Sequence, residues 1–335
     1  MGKHEEGDYT FPCVVVRSYE GNLLSMEDTM RVLESKTVQG AMNVLADFGY
    51  GDGKELENPR DFQEVLKKNL DEAYKLVYSI IPDEKEMNLF LYPNDYHNAK
   101  VLLKSEFLKT DATPLLLETG TIPPEEMEEM IRKRSFNGMS VEMRRAVAEA
   151  IDLFAKSRDP QEIDIILDKA CYKDMLTDAE DSENEFVSEY IRVGIDAINV
   201  NTFIRLREIG KPRAFFQKVY LGGGNIDDKF FDNSYEEAYS QLAEKLAPFG
   251  FHDVFAVGAE QAHRDGKYVL LEKLLDDMKM NFVRDARLIP FGIEPLVGYL
   301  AAKETENKNL RMILTGIIAG TERSVTEERL RETYV

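Results

Sequence analysis

The sequence predicts an all-α protein, because apolar residues recur at helical spacing, helix-start signals repeat along the chain, and alternating strand-like runs are scarce. Apolar positions follow one face of a helix in the long segments 62–77, 187–206 and 271–278. The best alternating run, 13–16, suits a helix equally well. We therefore expect helices packed on helices along nearly the whole chain.

Composition and charge exclude several classes of protein. The chain has 335 residues, enough for two or three domains, and 62 acidic against 42 basic residues give a net charge of −20. That charge disfavours binding to nucleic acid or to an anionic bilayer, and favours a protein partner with basic patches. Two cysteines, Cys13 and Cys171, and a polar start indicate a reducing cytosol without a disulfide framework or signal peptide. Since no run of about 18 apolar residues occurs, no direct membrane insertion is expected.

Helix-start signals recur at roughly 100-residue intervals along the chain. Each pairs a capping residue with acids that suit the positive end of the helix dipole. The four capping residues are Ser25, Thr121, Asn225 and Ser324. Regular spacing of this kind predicts an internal repeat.

A second marker, an acid followed three positions later by Asn, supports the repeat. The three copies are Asp95–Asn98, Asp196–Asn199 and Glu304–Asn307. Residues three apart share one face of a helix, so these pairs either hold helices together, which we favour, or line a central opening. The markers predict three helical domains, 1–119, 120–222 and 223–335, with the N-terminal helix completing the pattern of the third.

A search for chemistry finds no catalytic motif. The glycine run 222–224 lacks the Gly-Lys-Ser/Thr ending of a phosphate loop and is interpreted as a flexible linker, and the four histidines lack metal-ligand spacing. We expect no catalytic residue, cofactor or metal. The basic cluster Arg132, Lys133 and Arg134 has two interpretations, the solvated end of a helix or a partner-binding surface.

The segment 290–316 carries a family resemblance. A Pro-containing turn leads into a helix with Lys303, Asn307 and Arg311, and the sequence finishes on Tyr334-Val335. This pattern closely resembles the C subunit of archaeal and bacterial V-type (A-type) ATPases, which corresponds to the eukaryotic d subunit. The segment 17–35 also looks like the opening of that family, whereas residues 1–10 depart from it.

The resemblance implies three related domains in a pseudo-threefold funnel with a central opening. It also implies a non-catalytic rotor subunit, cytoplasmic and peripheral to the membrane. Such a rotor part links central-stalk subunits of the D and F type to the membrane proteolipid ring and transmits torque for ATP-linked proton or sodium transport. Two alternatives remain: a free-standing helical scaffold that binds another protein, and a helical enzyme with a site assembled across units.

Overall fold

The fold is known from a computed structural model that describes residues 6–51, 53 and 55–335. Within these residues the regular structure is entirely helical and contains no strand. The all-α prediction is therefore confirmed. Residues 1–5, half of the N-terminal extension noted in the sequence, lie outside the described residues.

The α-helices follow one another with short connections. In chain order they are α1 Thr10–Glu20, α2 Met26–Leu33, α3 Val38–Ala46, α4 Phe62–Ile80, α5 Lys85–Asn88, α6 Tyr92–Leu108, α7 Pro124–Lys133, α8 Val141–Ser157, α9 Pro160–Asp181, α10 Glu185–Glu208, α11 Arg213–Val219, α12 Asp228–Asn233, α13 Tyr239–Leu246, α14 Glu260–Asp265, α15 Val269–Arg284, α16 Glu294–Ala319 and α17 Arg323–Glu327. A π-helical turn, Val254–Ala259, runs into α14, and 3₁₀ turns cover Glu6–Tyr9, Pro59–Asp61, Thr113–Leu115, Ala247–Phe249 and Asp285–Leu288. The three long amphipathic segments predicted from apolar spacing correspond to α4, α10 and α15.

Two compact units make up the chain. The central unit is Asp83–Glu236, and the split unit joins the chain up to Pro82 with Glu237–Val335. The division into three domains and the funnel around an opening stay predictions.

In the split unit, the second half of α16 packs against α2, α3 and α4. The buried residues of this core are Leu24, Val32, Leu33, Val38, Ala41, Met42, Leu45, Tyr50, Phe62, Leu66, Leu310, Ile313, Leu314 and Leu330. Helix α1 lies along the first half of α16, where the Arg17 guanidinium donates to the carbonyl oxygens of Ala286 and Ile289, each at 2.9 Å. The last long helix thus completes a core that the first helices begin.

In the central unit, α6 and α8 pack on α9, and α10 extends from α9 into an aromatic cluster. The rings of Phe216, Phe231 and Tyr235 lie within 5.2–5.4 Å of the Phe203 ring, centroid to centroid. The Cys171 thiol is buried on α9, and burial raises its pKa, so the thiol is a poor nucleophile.

A helix begins near each of the four predicted starts, but only one of the four predicted capping residues is confirmed. Ser25 caps α2, and its side chain and Asp28 form a capping box. Thr121 and Asn225 lie before the caps of α7 and α12, and Ser324 lies inside α17. The Thr121 hydroxyl donates to Asp95 on α6 and the Asn225 side-chain amide donates to Glu189 on α10, and neither side chain caps the helix that follows it.

Candidate functional site

Asp95 and Asn98 on α6 form a buried pair that binds the backbone of a later segment. The Asn98 side-chain amide donates to the Leu117 carbonyl at 2.8 Å and accepts from the Leu117 N–H at 2.9 Å. The Asp95 carboxylate accepts from the N–H groups of Thr121 at 3.1 Å and Ile122 at 3.2 Å, and from the Thr121 hydroxyl at 2.6 Å. We call this arrangement clamp 1.

Clamp 2, Asp196 and Asn199 on α10, repeats the same geometry. Asn199 donates to the Leu221 carbonyl at 2.8 Å and accepts from the Leu221 N–H at 2.9 Å. Asp196 accepts from the N–H groups of Asn225 at 2.9 Å and Ile226 at 3.1 Å. The glycine run predicted to be a flexible linker is therefore held by the clamp on both sides.

The third copy lies two residues later than the sequence predicts. Asn309, not Asn307, makes the reciprocal pair, because its side chain donates to the Arg331 carbonyl and accepts from the Arg331 N–H, both at 2.9 Å. Asn307 donates instead to the Leu66 carbonyl at 2.8 Å, and Glu304 accepts from the Tyr74 hydroxyl. Two residues turn a helix by about 200°, so the predicted pair faces away from the clamp.

Clamp 3 is Glu306 and Asn309 on α16, and its acid has a different environment. Glu306 accepts from the Leu24 N–H at 2.6 Å, from the Tyr50 hydroxyl and from the Lys303 ammonium. The Lys303 ammonium also donates to the Tyr50 hydroxyl at 2.9 Å and lies 4.5 Å from the centre of that ring. Lys303 is 5% exposed and Glu306 6%, so clamp 3 contains a buried ion pair.

Glycines lie against the two aspartates. A methyl group on Gly120 would collide with the Asp95 carboxylate, and one on Gly224 with the Asp196 carboxylate. In the third copy Asn22 takes the position of these glycines, two residues before the clamped Leu24. Aspartate, the shorter acid, therefore occurs in the two clamps whose bound segment has glycine at this position. Glutamate, the longer acid, occurs in the clamp whose bound segment has Asn22 there.

Burial sets the acidity of the two aspartates. It raises the pKa of Asp196 to about 6, against the lowering effect of the N–H groups of Ile226 and Asn225. Burial likewise raises the pKa of Asp95, against the donors from Thr121 and Ile122. Both carboxylates accept from backbone N–H groups, and among the described residues neither is paired with a buried cation as Glu306 is. The pairs favoured as structural thus make helix-to-backbone bonds.

The predicted basic cluster lies at the end of α7, where it complements the helix dipole. Lys133 pairs with Glu129 one turn earlier, and Arg134 pairs with Glu106 on α6. Arg134 also has a left-handed backbone, φ +55°, as the residue after the helix. Two of the three cationic side chains therefore have acidic partners within the chain, which reduces the charge they offer to another protein.

Two further observations concern metals and membranes. Among the described residues, no group of three or more His, Cys, Asp or Glu side chains is placed to hold a metal ion. In the same residues, no helix is long and apolar enough to cross a membrane.

Sequence reasoning missed Asn309, Lys303 and Tyr50 as parts of the third copy. The segment 304–309 contains two overlapping acid-x-x-Asn patterns, and the letters alone do not choose between them. Spacing does not choose either, because the bound residue follows the amide by 19 positions in clamp 1 and by 22 in clamps 2 and 3.

Known proteins resemble the chain over most of its length. The C subunit of the A-type ATP synthase of Methanocaldococcus jannaschii is 25% identical over 92% of this chain and 83% of the relative. The same subunit of Thermococcus kodakarensis is 23% identical over 97% of this chain and 90% of the relative. The C subunit of the V-type sodium ATPase of Enterococcus hirae is 22% identical over 96% of this chain and 97% of the relative.

A family model decides the relationship. The model of the ATP synthase (C/AC39) subunit matches residues 12–329, which include the acid and amide of all three clamps. The resemblance inferred from the segment 290–316 is thereby confirmed. The chain belongs to the ATP synthase (C/AC39) subunit family.

Proposed function

We propose that this chain is a non-catalytic rotor subunit of an A/V-type ATPase, linking the central stalk to the membrane proteolipid ring. The observation that carries the proposal is the family match over residues 12–329, together with relatives named as the C subunit of such complexes. In this role the chain transmits torque between ATP turnover and proton or sodium transport. Its place is peripheral, on the cytoplasmic side of the membrane.

The clamps support a part that transmits force. Each clamp fixes a long helix to the backbone of another segment, through buried side-chain bonds with little exposure to water. Such bonds are costly to break, because an opened clamp leaves buried donors and acceptors without partners. A helix held in this way resists sliding past the segment that it binds. The funnel predicted from the sequence would give the stalk a socket, and a low-resolution image of the isolated chain tests that shape.

The charge supports protein partners with basic surfaces. At −20, the acidic faces would attract the basic cytoplasmic loops that membrane proteins present. We expect binding to the stalk or ring to weaken as salt rises, because screening shortens the reach of surface charges. The cluster of Arg132, Lys133 and Arg134 would then contribute little, since two of its members already have acidic partners.

The test is reconstitution of the whole complex with and without this chain. We expect the chain to co-purify with D- and F-type stalk subunits and the ring, and its omission to abolish ATP-driven ion transport while ATP hydrolysis by the head continues. The pure chain should not hydrolyse ATP. Full ion transport in its absence, or ATP hydrolysis by the pure chain, would contradict the proposal.

A further inference from the structure

Residues 330–335, which follow α17, are neither helix nor strand, yet they are mostly buried. Their backbone bonds to side chains of other elements. Arg331 is held through its N–H and carbonyl by Asn309, and the Glu332 N–H donates to Asp277 at 2.7 Å. We call residues 329–335 the terminal segment, and the surface of α15, α16 and the Asp285–Leu288 turn that holds it the terminal groove.

Two arginines hold the rest of the terminal segment. Arg284 donates to the Thr333 carbonyl at 2.9 Å and to the Glu332 carboxylate at 3.0 Å. Arg287 donates to the Tyr334 carbonyl at 3.1 Å and lies 5.7 Å from the centre of the tyrosine ring. Side chains thus contact the backbone at consecutive positions, as grooves that capture peptides do.

Two apolar anchors and one charge fix the register of the segment. Leu330 enters the core beside Leu310 and Leu314, and Tyr334 is 2% exposed. A methyl group on Gly298 would lie 2.6 Å from the Tyr334 hydroxyl, so this glycine makes room for the ring.

Between the anchors, the Arg331 guanidinium donates to Asp276 at 3.0 Å. Burial would raise the pKa of Asp276, but Lys279, Lys308 and Arg331 together hold it below its ordinary value. The carboxylate is therefore ionised near neutral pH and available to a cationic side chain.

Clamp 3 differs from the others in what it joins. In clamps 1 and 2 the acid and the amide bind one continuous stretch, 117–122 or 221–226. In clamp 3 the acid binds Leu24 and the amide binds Arg331, which belong to segments far apart in sequence. Release of the terminal segment therefore breaks the bonds of Asn309 without breaking the bond between Glu306 and Leu24.

We propose that the terminal groove is a peptide-binding site, specific for an extended segment of the form Leu-Arg-Glu-x-Tyr, and that the terminal segment is its exchangeable ligand. The groove supplies Asn309, Asp277, Arg284 and Arg287 for the backbone, Asp276 for the arginine side chain and the space at Gly298 for the tyrosine. This inference rests on the contacts of the segment and not on the proposed function.

The test uses the full chain with a protease recognition sequence inserted between Glu328 and Arg329, both of which are exposed. After folding and cleavage, a fluorescent peptide of sequence 329–335 is added, and exchange is followed by anisotropy. We expect the cleaved segment to stay bound on gel filtration and to be displaced by the labelled peptide. A Tyr334→Ala peptide should bind at least about tenfold more weakly, because the buried aromatic anchor is lost.

Matched controls distinguish sequence-specific binding of the peptide from nonspecific binding. An Arg329→Ala peptide should bind within about twofold of the parent, because the Arg329 side chain is exposed. In the chain, Arg287→Ala should weaken peptide binding several-fold, whereas Arg264→Ala, which alters an exposed pair with Asp265, should not. Equal binding of the Tyr334→Ala and parent peptides overturns the proposal. So does exchange that occurs only with loss of the helical circular dichroism signal, because the segment would then be an integral part of the core.

Discussion

Clamp 2 in the central unit and clamp 3 in the split unit both bind backbone groups, but the charges around their acids differ. Asp196 accepts two backbone N–H groups, whereas Glu306 accepts one and is also paired with the buried ammonium of Lys303. A buried acid without a cation resists ionisation, while a buried ion pair depends on both of its charges. The comparison shows that one repeated geometry accommodates an acid with or without a buried cation, and it predicts that the two acids respond differently to mutation and to pH.

The largest difference in stability between the two clamps should appear when each acid is replaced by its neutral amide. Glu306→Gln leaves the Lys303 ammonium buried without a counter-ion, and we expect a loss of about 3–5 kcal/mol in the free energy of unfolding. Asp196→Asn removes no partner of a buried cation, so its cost should be smaller. Chemical denaturation of both variants at pH 7 measures the two losses.

A second substitution checks the cause. Lys303→Met in the Glu306→Gln background removes the stranded charge, so the double variant should recover part of the stability. Equal losses in Glu306→Gln and Asp196→Asn, or no recovery in the double variant, would show that the ion pair does not distinguish the two clamps.

Loss of the Asn199 amide should lower the free energy of unfolding somewhat less than loss of the Glu306 charge. Asn199→Leu leaves the N–H and carbonyl of buried Leu221 without partners, and we expect a loss of about 2–4 kcal/mol. Asn43→Leu, at an exposed position where Asn43 accepts from Gln39, should stay within about 0.5 kcal/mol of the parent.

The same variant tests whether clamp 2 is structural. At a temperature where Asn199→Leu remains folded, its affinity for the stalk should fall less than its stability. A larger loss of affinity than of stability would place Asn199 in the interface with the partner.

The acids should also differ in response to pH. Asp196 has a folded pKa of about 6 against about 3.9 in an unfolded chain, so the folded state binds the proton more tightly. Its effect therefore stabilises the fold as pH falls from 7 towards 4, by about 1 kcal/mol between pH 7 and pH 5.

The measurement is denaturation of the parent chain and of Asp196→Asn at both pH values. Lower pH also reduces the net charge of −20, and this general effect is present in both proteins. The Asp196 contribution is the difference between the two pH responses. If the two proteins change in stability by the same amount between pH 7 and pH 5, the predicted contribution of Asp196 is wrong.

The smallest expected effect comes from the ends of helices in the two units. In the central unit, α8 is followed by Arg158 with a left-handed backbone, φ +59°, whereas α14 and α16 of the split unit are followed by glycines, Gly266 and Gly320. A side chain strains this conformation and glycine does not. Arg158→Gly should therefore raise stability by about 0.5–1 kcal/mol, and Gly266→Arg should lower it by a similar amount in the same thermal unfolding assay. A loss of stability in Arg158→Gly would mean that the arginine side chain outweighs the strain.

The sequence predicts features that depend on local spacing better than features that depend on contacts between distant segments. Helices α4, α10 and α15 follow from apolar spacing, since helical geometry puts those residues on one face. The clamps in α6 and α10 were found because an acid and an amide three apart share a face. The third was misplaced because two overlapping patterns fit the letters equally well and only the bound segments separate them.

The misplaced helix starts have a different cause. Ser25 follows the local rule, because its side chain bonds within its own helix. Thr121 and Asn225 match the same rule by letter, but their side chains donate to carboxylates on α6 and α10. A contact between segments far apart in sequence overrides the local preference for capping. A single sequence does not show which distant segments come into contact.

The core shared by α2, α3, α4 and α16 has a consequence for synthesis on the ribosome. Leu310, Ile313 and Leu314 emerge long after Val32 and Leu45, which they cover. The central unit is one continuous stretch and can fold as soon as it has emerged, because its contacts lie within that stretch. Helices α2, α3 and α4 therefore reach their final packing only after α16 has emerged, and part of their apolar surface stays uncovered until then.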